Sequence, residues 1–312
     1  MKIGLDIMGG DYAPKAAVLG AVEAYKALPA GSKLVLVGDK DAALSILAEA
    51  GHDPDVFEYV HTTEVIGMGE HPTKAISQKP GSSIALGFKL LKEGEIQAFS
   101  SAGNTGAMLV GAMFSVKTIP GVIRPAMTTI VPKLSGGLGI LLDVGANADC
   151  KPDVLLQFGV LGSLLGQHVY NLTDPKVGLI NIGEEEEKGN MLCQATYPLM
   201  KGTNQFNFVG NVEGRDLFGD AADIYVCDGF TGNVIIKLAE SYYVIARKKR
   251  LNDEFFDRFN YEQYGGSPIL GVNAPVVVGH GISTPEAIKN MVLLSTNMAE
   301  SGLVEKIKQA FV

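Results

Sequence analysis

Short apolar runs alternate along the chain with longer segments in which apolar positions recur at helical spacing. Residues 2–7 read as a strand, and 14–28 as a helix with Ala17, Val18, Ala21, Ala24, Tyr25 and Leu28 on one face. Strands follow at 34–37 and 56–60, with a helix at 41–50 closed by Gly51. A helix over 83–91, stopped by Gly94, leads to a short strand at 97–99 and a helix over 105–116. The pattern then predicts strands at 127–131, 138–142, 176–181, 206–209 and 224–227, with helices at 152–168, 189–200 and 232–247. A last strand at 276–278 precedes helix from Pro285 onward.

Repeated strand–loop–helix units imply an α/β fold, a three-layer α/β/α arrangement around a mostly parallel sheet. No repeat, low-complexity tract or linker divides the chain, so one α/β domain over 1–312 is expected, with a surface helical excursion around 240–265. The loops that follow the strands are rich in glycine and in Asn, Asp and Thr: MGGDYAP, SAGNTGA, DVGANADCKPD, NIGEEEEKGN, GNVEGRD, CDGFTGN and GHGIST. Ligands of open α/β folds bind at the carboxyl ends of the strands. Turn formation explains any one of these loops, but it accounts poorly for all seven on the strand-to-helix side.

Composition sharpens this picture. Thirty-eight glycines in 312 residues exceed the usual share of about 7%, and the excess has an address in those loops. With 46% hydrophobic and 19% charged residues, the chain affords a packed core and excludes disorder. A formal charge of −8 argues against nucleic acid as a partner, since phosphate backbones demand a basic face. Cys150, Cys193 and Cys227 show neither CxxC spacing nor an even count, so no disulfide frame or zinc site is expected. Asp6 interrupts the apolar start, which does not read as a signal peptide. The uncharged stretch 96–116 carries Gln97, Ser100, Ser101, Asn104, Thr105 and three glycines, unlike a membrane span. A soluble cytoplasmic protein is expected.

Each loop has a chemistry. In 101–106, glycines let backbone N–H groups approach an anion at a helix start, and Asn104 and Thr105 add side-chain donors. Gly103, Asn104, Thr105 and Gly106 therefore read as a phosphate cradle, although the lysine of a GxxxxGK[ST] loop is missing and Asn104 as a simple cap competes with this reading. No GxGxxG follows a strand, which removes the main support for a nicotinamide dinucleotide. Lys188, after four glutamates and ahead of a helix, is placed to hold an anionic substrate or an oxyanion. The glutamates themselves read as a solvated acidic loop in which one or two fix Lys188 by ion pairing. No spacing specifies a metal site. Asp143, Asn147, Asp149 and Lys151 share one loop, Asn211, Glu213, Arg215 and Asp216 another, and Asp228 and Asn233 flank Gly229 and Gly232. Buried polar groups need partners, so these loops either knit together or leave groups for a substrate. His280 is the only histidine in such a loop and suits a general acid or oxyanion donor. Cys150 and Cys227 read as small buried thiols rather than nucleophiles.

Taken in order, LDIMGGDYAP, SAGNTGA, LLDVGANADCKPD, NIGEEEEKGN, GNVEGRD, CDGFTGN and YGGSPILGVN resemble the PlsX-type phosphate acyltransferases of bacterial phospholipid synthesis over nearly the whole chain. The resemblance implies transfer of a long-chain acyl group from acyl carrier protein to inorganic phosphate. It also implies a fold similar to the phosphotransacetylase and isocitrate dehydrogenase architecture, a homodimer, and no organic cofactor. With phosphate as the nucleophile, the 103–106 loop and Lys188 are the expected phosphate holders, and His280, Asn211 and Asn233 the expected donors to the thioester oxygen. Asp6, Gly9, Asn147, Lys151, Glu213, Asp228 and Gly229 are expected to line the substrates. Gly103, Gly106, Gly189, Gly229 and Gly232 are expected to reject a side chain.

The sequence departs from that family at Tyr12, where histidine usually follows GGD, and at GHGIST, which replaces the commoner AHGSSD. The segment between Lys237 and Tyr264 is also shorter than in many relatives. There Tyr242, Tyr243, Val244 and Ile245 precede Arg247, Lys248, Lys249 and Arg250, and Phe255, Phe256 and Phe259 follow. Basic residues beside aromatics suit an anionic membrane surface on the inner face of the cell membrane or the acidic carrier protein, and a dimer contact is the plainer account. A phosphotransacetylase acting on short acyl-CoA, and a non-catalytic phosphate- or acyl-binding protein, are the rival readings.

Overall fold

The computed structural model describes residues 1–311, except the side chain of Tyr261. Eleven strands run in chain order as β1 (Lys2–Asp6), β2 (Lys33–Gly38), β3 (Glu58–His61), β4 (Ala98–Ser101), β5 (Ala126–Pro132), β6 (Leu138–Leu142), β7 (Lys176–Asn181), β8 (Asn207–Glu213), β9 (Ile224–Val226), β10 (Ser267–Leu270) and β11 (Val276–Val278). The helices are α1 (Lys15–Ala27), α2 (Lys40–Glu49), α3 (Pro72–Gln78), α4 (Ser83–Glu93), α5 (Thr105–Gly111), α6 (Pro152–His168), α7 (Met191–Lys201), α8 (Gly229–Lys249), α9 (Glu254–Asp257), α10 (Pro285–Glu300) and α11 (Leu303–Ala310). The described residues form two compact units, one from residues 1–118 with 261–300, the other from 119–260 with 301–311.

In the first unit the strand order is β3-β2-β1-β4-β11-β10, parallel except for β10 against β11. All four residues 34–37 of β2 are buried, as expected when helices cover both faces of a parallel sheet. Helices α1 and α10 pack together on one side, and Gly20 permits the approach, since a Cβ there would lie 2.5 Å from Ile288 Cβ. Helix α4 packs on β1, β2 and β4 through Ile84, Phe88 and Leu91, and Gly94 in the left-handed region ends it. The order turns back between β1 and β4, so the crevice where open sheets bind ligands lies at the ends of those two strands.

In the second unit the order is β5-β6-β9-β7-β8, with β5 antiparallel to β6 and the rest parallel. Helix α6 carries Gly159, Gly162 and Gly166 against Phe206, Ile224, Leu142 and Ile140, so it lies close on the sheet, with α7 and α11 beside it. Helix α8 packs on β6 and runs past the predicted end at 247 to Lys249.

Three expectations are corrected. Residues 267–270 are a strand, read from sequence only as part of a motif. Residues 210–213 of GNVEGRD belong to β8 rather than to a loop after it. The phenylalanines after the basic run are not fully exposed: Phe259 is buried, and Phe255 and Phe256 are half-buried. Phe255 and Phe259 meet Phe218 edge-to-face at 6.0 and 5.2 Å, with Tyr242 at 6.1 Å from the same ring, forming a satellite core under α9.

Candidate functional site

The first unit builds its strand-end crevice around one carboxylate. Asp6 closes β1 with no exposed surface. Its Oδ1 accepts the Met8 N–H at 2.9 Å, and its Oδ2 accepts the Ser101 hydroxyl at 2.6 Å. Ser101 Oγ in turn accepts the Gly103 N–H at 2.9 Å. Burial pushes the Asp6 carboxyl up, against hydrogen bonds from Ser101, Ser83 and the Met8 and Gly9 amides that pull it down. Gly9 sits over this chain of bonds, where a Cβ would lie 2.6 Å from Gly103 N and 2.7 Å from Asp6 Oδ2.

Asn104 does two structural jobs at once. Its Oδ1 caps α5 by accepting Ala107 N–H at 2.9 Å. Its Nδ2 donates to the carbonyls of Gly67, Met68 and Glu70 at 3.0, 3.1 and 3.1 Å. Two protons thus serve three acceptors, and no side-chain donor is left for an anion, contrary to the sequence expectation for Asn104. The strap that it grips is braced further by Lys79, which reaches Glu70 at 2.6 Å and the Val65 carbonyl at 2.8 Å. Thr105 is exposed, and Thr105 and Gly106 open the helix with first-turn N–H groups that have no intrahelical acceptor. His280 is half-buried, and its carbonyl accepts both Ser283 N–H and Ser283 Oγ.

The second unit repeats the plan with different partners. Asp143, directly after β6, is fully buried. Its Oδ1 accepts the N–H groups of Met127, Gly145 and Ala146 at 3.0, 3.2 and 3.1 Å. Its Oδ2 accepts the Asn147 N–H and amide at 2.7 and 2.9 Å. Burial raises this carboxyl too, opposed by the same amides. Asn147 also donates to Pro125 O at 2.8 Å, and its own carbonyl receives Gly229 N–H at 2.7 Å. Asn233 ties α8 to the loop through Val144 O at 3.1 Å. Asp228 caps α8 by accepting the Thr231 N–H and hydroxyl at 2.9 and 2.8 Å. Gly232 is where this framework is tightest, because a Cβ would fall 1.9 Å from Asp143 O.

The acidic loop after β7 is organised by amides rather than by Lys188. Asn181 donates to Lys188 O at 3.1 Å and lies where a Cβ on Gly189, which has φ +92°, would collide. Asn211 donates to Glu185 O at 2.8 Å, while its buried Oδ1 has no partner among the described residues. The ion pairs expected for Lys188 go elsewhere: Glu186 pairs with Lys201, and Glu184 and Glu213 lie 3.5 and 3.0 Å from Arg215. Lys188 is exposed, and among the described residues no carboxylate lies within 4.0 Å of its Nζ. Lys151 is exposed as well, at the start of α6.

Between the first turns of α7 and α8, an open cleft of about 740 Å³ is lined by Ala148, Asp149, Cys150, Asn190, Met191, Leu192, Asp228, Phe230 and Thr231. An apolar chamber of about 250 Å³, walled by Leu155, Leu179, Ile180, Cys193 and Cys227, shares Asn190, Asp228 and Thr231 with it. Sequence reading missed Met191 and Phe230, which stand 87% and 68% exposed, and their position in the first turn of a helix was the available signal. Burial, with Asp143 and Asp228 nearby, pushes the Cys150 thiol up to about 12. Cys193 and Cys227 are raised by burial first and Asp228 next. All three thiols are protonated at neutral pH, so none is an activated nucleophile.

The four basic residues at the end of α8 are exposed. Arg247 lies 3.6 Å from Asp257 and 5.2 Å from the Tyr243 ring centroid, and cations in a last helical turn complement the helix dipole. Val244, Ile245 and Leu251 beside them are about half exposed. Among the described residues no helix is long and apolar enough to cross a membrane, and no three His, Cys, Asp or Glu side chains cluster as metal ligands.

Residues 1–306 match the family described as fatty acid synthesis protein. A phosphate acyltransferase of Desulforamulus reducens is 45% identical over 330 residues, covering 99% of this chain and 97% of its own. One from Dictyoglomus turgidum is 42% identical over 326 residues, covering 98% and 96%. Among solved structures, the EutD phosphotransacetylase from Staphylococcus aureus aligns over 96% of this chain and 94% of its own, with TM-score 0.65 and 16% identity. A phosphotransacetylase from Streptococcus pyogenes gives TM-score 0.64 over the same shares. These likenesses bear out the expected α/β/α architecture.

Proposed function

The chain belongs to the fatty acid synthesis protein family, and from that premise we propose that it is a phosphate acyltransferase moving a long-chain acyl group from acyl carrier protein to inorganic phosphate. The observation that carries the reading is the match to phosphate acyltransferases over 98–99% of the chain at 42–45% identity. In the reaction a phosphate oxygen attacks the thioester carbonyl carbon, the C–S bond breaks, and the carrier leaves as a thiolate that takes up a proton. The protein supplies no nucleophile, which agrees with three protonated thiols.

Its tasks are holding phosphate, donating to the developing oxyanion, and orienting the thioester. For phosphate the candidates are, within the second unit, the unpaired Lys188 amine and, within the first, Thr105 with the first-turn N–H groups beside Gly103 and Gly106. For the thioester oxygen the candidate donors are His280 in the first unit or Asn211 and Asn233 in the second. Asn211 and Asn233 each use one amide proton on a loop carbonyl, which aims the side chain, and keep the second for that oxygen. Asp6, Gly9, Asn147, Glu213, Asp228 and Gly229 hold the walls, and Lys151 faces the substrates. Exposed Phe230, Val234 and Leu238, one turn apart on α8, support an acyl-bearing substrate and a homodimer contact. The exposed Arg247–Arg250 run beside Val244 and Ile245 supports docking of acidic carrier protein and a peripheral contact with the inner membrane face from the cytoplasm.

Purified protein mixed with palmitoyl carrier protein or palmitoyl-CoA, with and without phosphate, tests the reading. Thiol release and hydroxylamine-trappable acyl phosphate are expected only with phosphate and faster from the carrier. Faster release from short acyl-CoA would favour a phosphotransacetylase, and binding without release a passive acyl-binding protein.

A further inference from the structure

We propose that Arg124, in the second unit, is a binding residue for inorganic phosphate, its guanidinium presented by a loop that α6 and the Asp143 frame clamp in place. This rests on reading the chain as a phosphate acyltransferase, and it adds to Lys188 a cation whose position is fixed. Residues 119–127 carry a single charged side chain, Arg124. Four hydrogen bonds hold the backbone around it. The Gln157 amide on α6 supplies two, donating to Gly121 O at 2.9 Å and accepting the Ile123 N–H at 2.8 Å. Asn147 donates to Pro125 O at 2.8 Å, and Asp143 accepts the Met127 N–H at 3.0 Å.

Pro125 tightens the clamp, because the residue before a proline is kept out of the helical region. Ile119, Val122 and Pro125 are buried, whereas Arg124 is exposed. An arginine that only solvates a surface needs no such restraint. A binding group gains from it, since a guanidinium set in advance loses less freedom when it closes on an anion. The guanidinium is also unengaged: among the described residues it makes no ion pair or hydrogen bond. Carboxylates are near it, because burial first, then Asp143 and Asp228, raise the Cys150 thiol while Arg124 lowers it. Those carboxylates are occupied. Asp143 accepts five N–H bonds, and Asp228 accepts the Thr231 N–H and hydroxyl. The N–H donors of Arg124 are thus left for an anion from solution.

Planar and forked, a guanidinium takes two phosphate oxygens at once. The other two oxygens of the ion stay outside the fork, and one of them is free to attack a thioester carbonyl. The place suits that task. Cys150 Sγ lies 3.7 Å from Asn147 O, Asn147 holds Pro125, and Cys150 lines the open cleft of about 740 Å³. Phosphate on Arg124 therefore stands beside that cleft. A phosphodiester offers the same fork two oxygens, so both kinds of phosphate enter the test.

The test is calorimetric titration of the whole chain with inorganic phosphate, with no thioester present. Wild type is expected to bind phosphate and to prefer it to dimethyl phosphate, a diester with one charge. Arg124→Ala is expected to weaken phosphate binding roughly tenfold or more, and Arg124→Lys about threefold, because lysine keeps the charge and loses the fork. Gln157→Ala, which releases Gly121 and Ile123 but leaves Arg124 in place, is expected to weaken it as well, an effect that a plain surface charge would not show. With an acyl thioester added, Arg124→Ala should raise the phosphate KM and leave the thioester KM unchanged. Wild type that does not bind phosphate, unaltered affinity in Arg124→Ala or Gln157→Ala, or preference for the diester would overturn the assignment. If phosphate binds through Arg124 but no thioester is turned over, the site stands and the acyl-transfer proposal fails.

Discussion

Asp6 at the end of β1 in the first unit and Asp143 directly after β6 in the second are both fully buried, with burial raising their carboxyl pKa. They differ in what they hold. Asp6 accepts the Met8 N–H on Oδ1 but holds a hydroxyl on Oδ2, where Ser101 passes the grip on to Gly103, and a hydroxyl can reverse its proton. Asp143 is surrounded by five N–H donors from Met127, Gly145, Ala146 and Asn147, none of which can become an acceptor. The first loop is therefore adjustable and the second is set. A rigid frame under the cleft suits precise orientation of one reactant, while an adjustable loop suits a small ion.

The hardest test of that contrast is a pair of glycine substitutions. Gly232→Ala places a Cβ 1.9 Å from a backbone oxygen, whereas Gly103→Ala meets Ser101 Oγ at 3.0 Å and Gly9 Cα at 3.3 Å. Gly232→Ala should cost about 3 kcal/mol or more and abolish turnover, and Gly103→Ala about 1 kcal/mol with partial loss of activity. Chemical denaturation and initial rates check both, and equal effects would erase the difference between the loops.

Asparagine at each carboxylate is the next test. Asp143→Asn turns an amide donor against N–H donors and should cost about 2–3 kcal/mol. Asp6→Asn can keep its oxygen on the Met8 N–H and turn its NH2 to the Ser101 hydroxyl, and should cost about 1 kcal/mol. A reversed order would mean that the Ser101 relay is the more rigid of the two.

Acid titration gives a smaller effect of fixed sign. The Asp6 pKa is raised from its ordinary 3.8, so folding favours its protonated form. Its contribution to stability is fully present below 3.8 and is lost as pH rises through the folded-state value. Asp143 is raised in the same sense, so Asp6→Asn should shrink the falling limb, measured as unfolding free energy against pH, without abolishing it, and a limb of unchanged size would assign it to other groups.

The smallest stability effects belong to the exposed cations. Lys188→Ala and charge reversal over 247–250 should each move stability by less than about 0.5 kcal/mol. Their effects on catalysis should separate cleanly. Lys188→Ala should lower turnover roughly 100-fold and weaken phosphate use, an oxyanion-type loss, whereas charge reversal should raise only the KM for carrier protein.

Much of the frame was legible because both faces of its strands are buried. Residues 176–181 and 276–278 read as strands and 152–168 as a helix, and they are so. Strand β10 was hidden by Pro268 and by flanking glycines that read as turn, since its antiparallel pairing with β11 is visible only in three dimensions. Helix α3 was missed because it has one buried residue, Ala75, and hence little apolar period. At the site the loops were legible but the allegiance of each polar group was not. Asn104, Asn147 and Asn233 spell donors in sequence, and only the folded chain shows that the Asn104 and Asn147 amides are fully used within the frame while Asn233 spends one proton on Val144 O.

The order of strands in the first unit also sets a timetable for synthesis. Strand β4 pairs with β1 on one side and with β11 on the other, and Ser100 faces Val277. The second partner is about 180 residues downstream, so at about 5–20 residues per second the ribosome delivers it roughly 10–35 s after β4. During that interval one flank of β4 is an open edge able to pair with another nascent chain. Whatever shields that edge until residue 278 has emerged governs how much of this protein reaches its folded state.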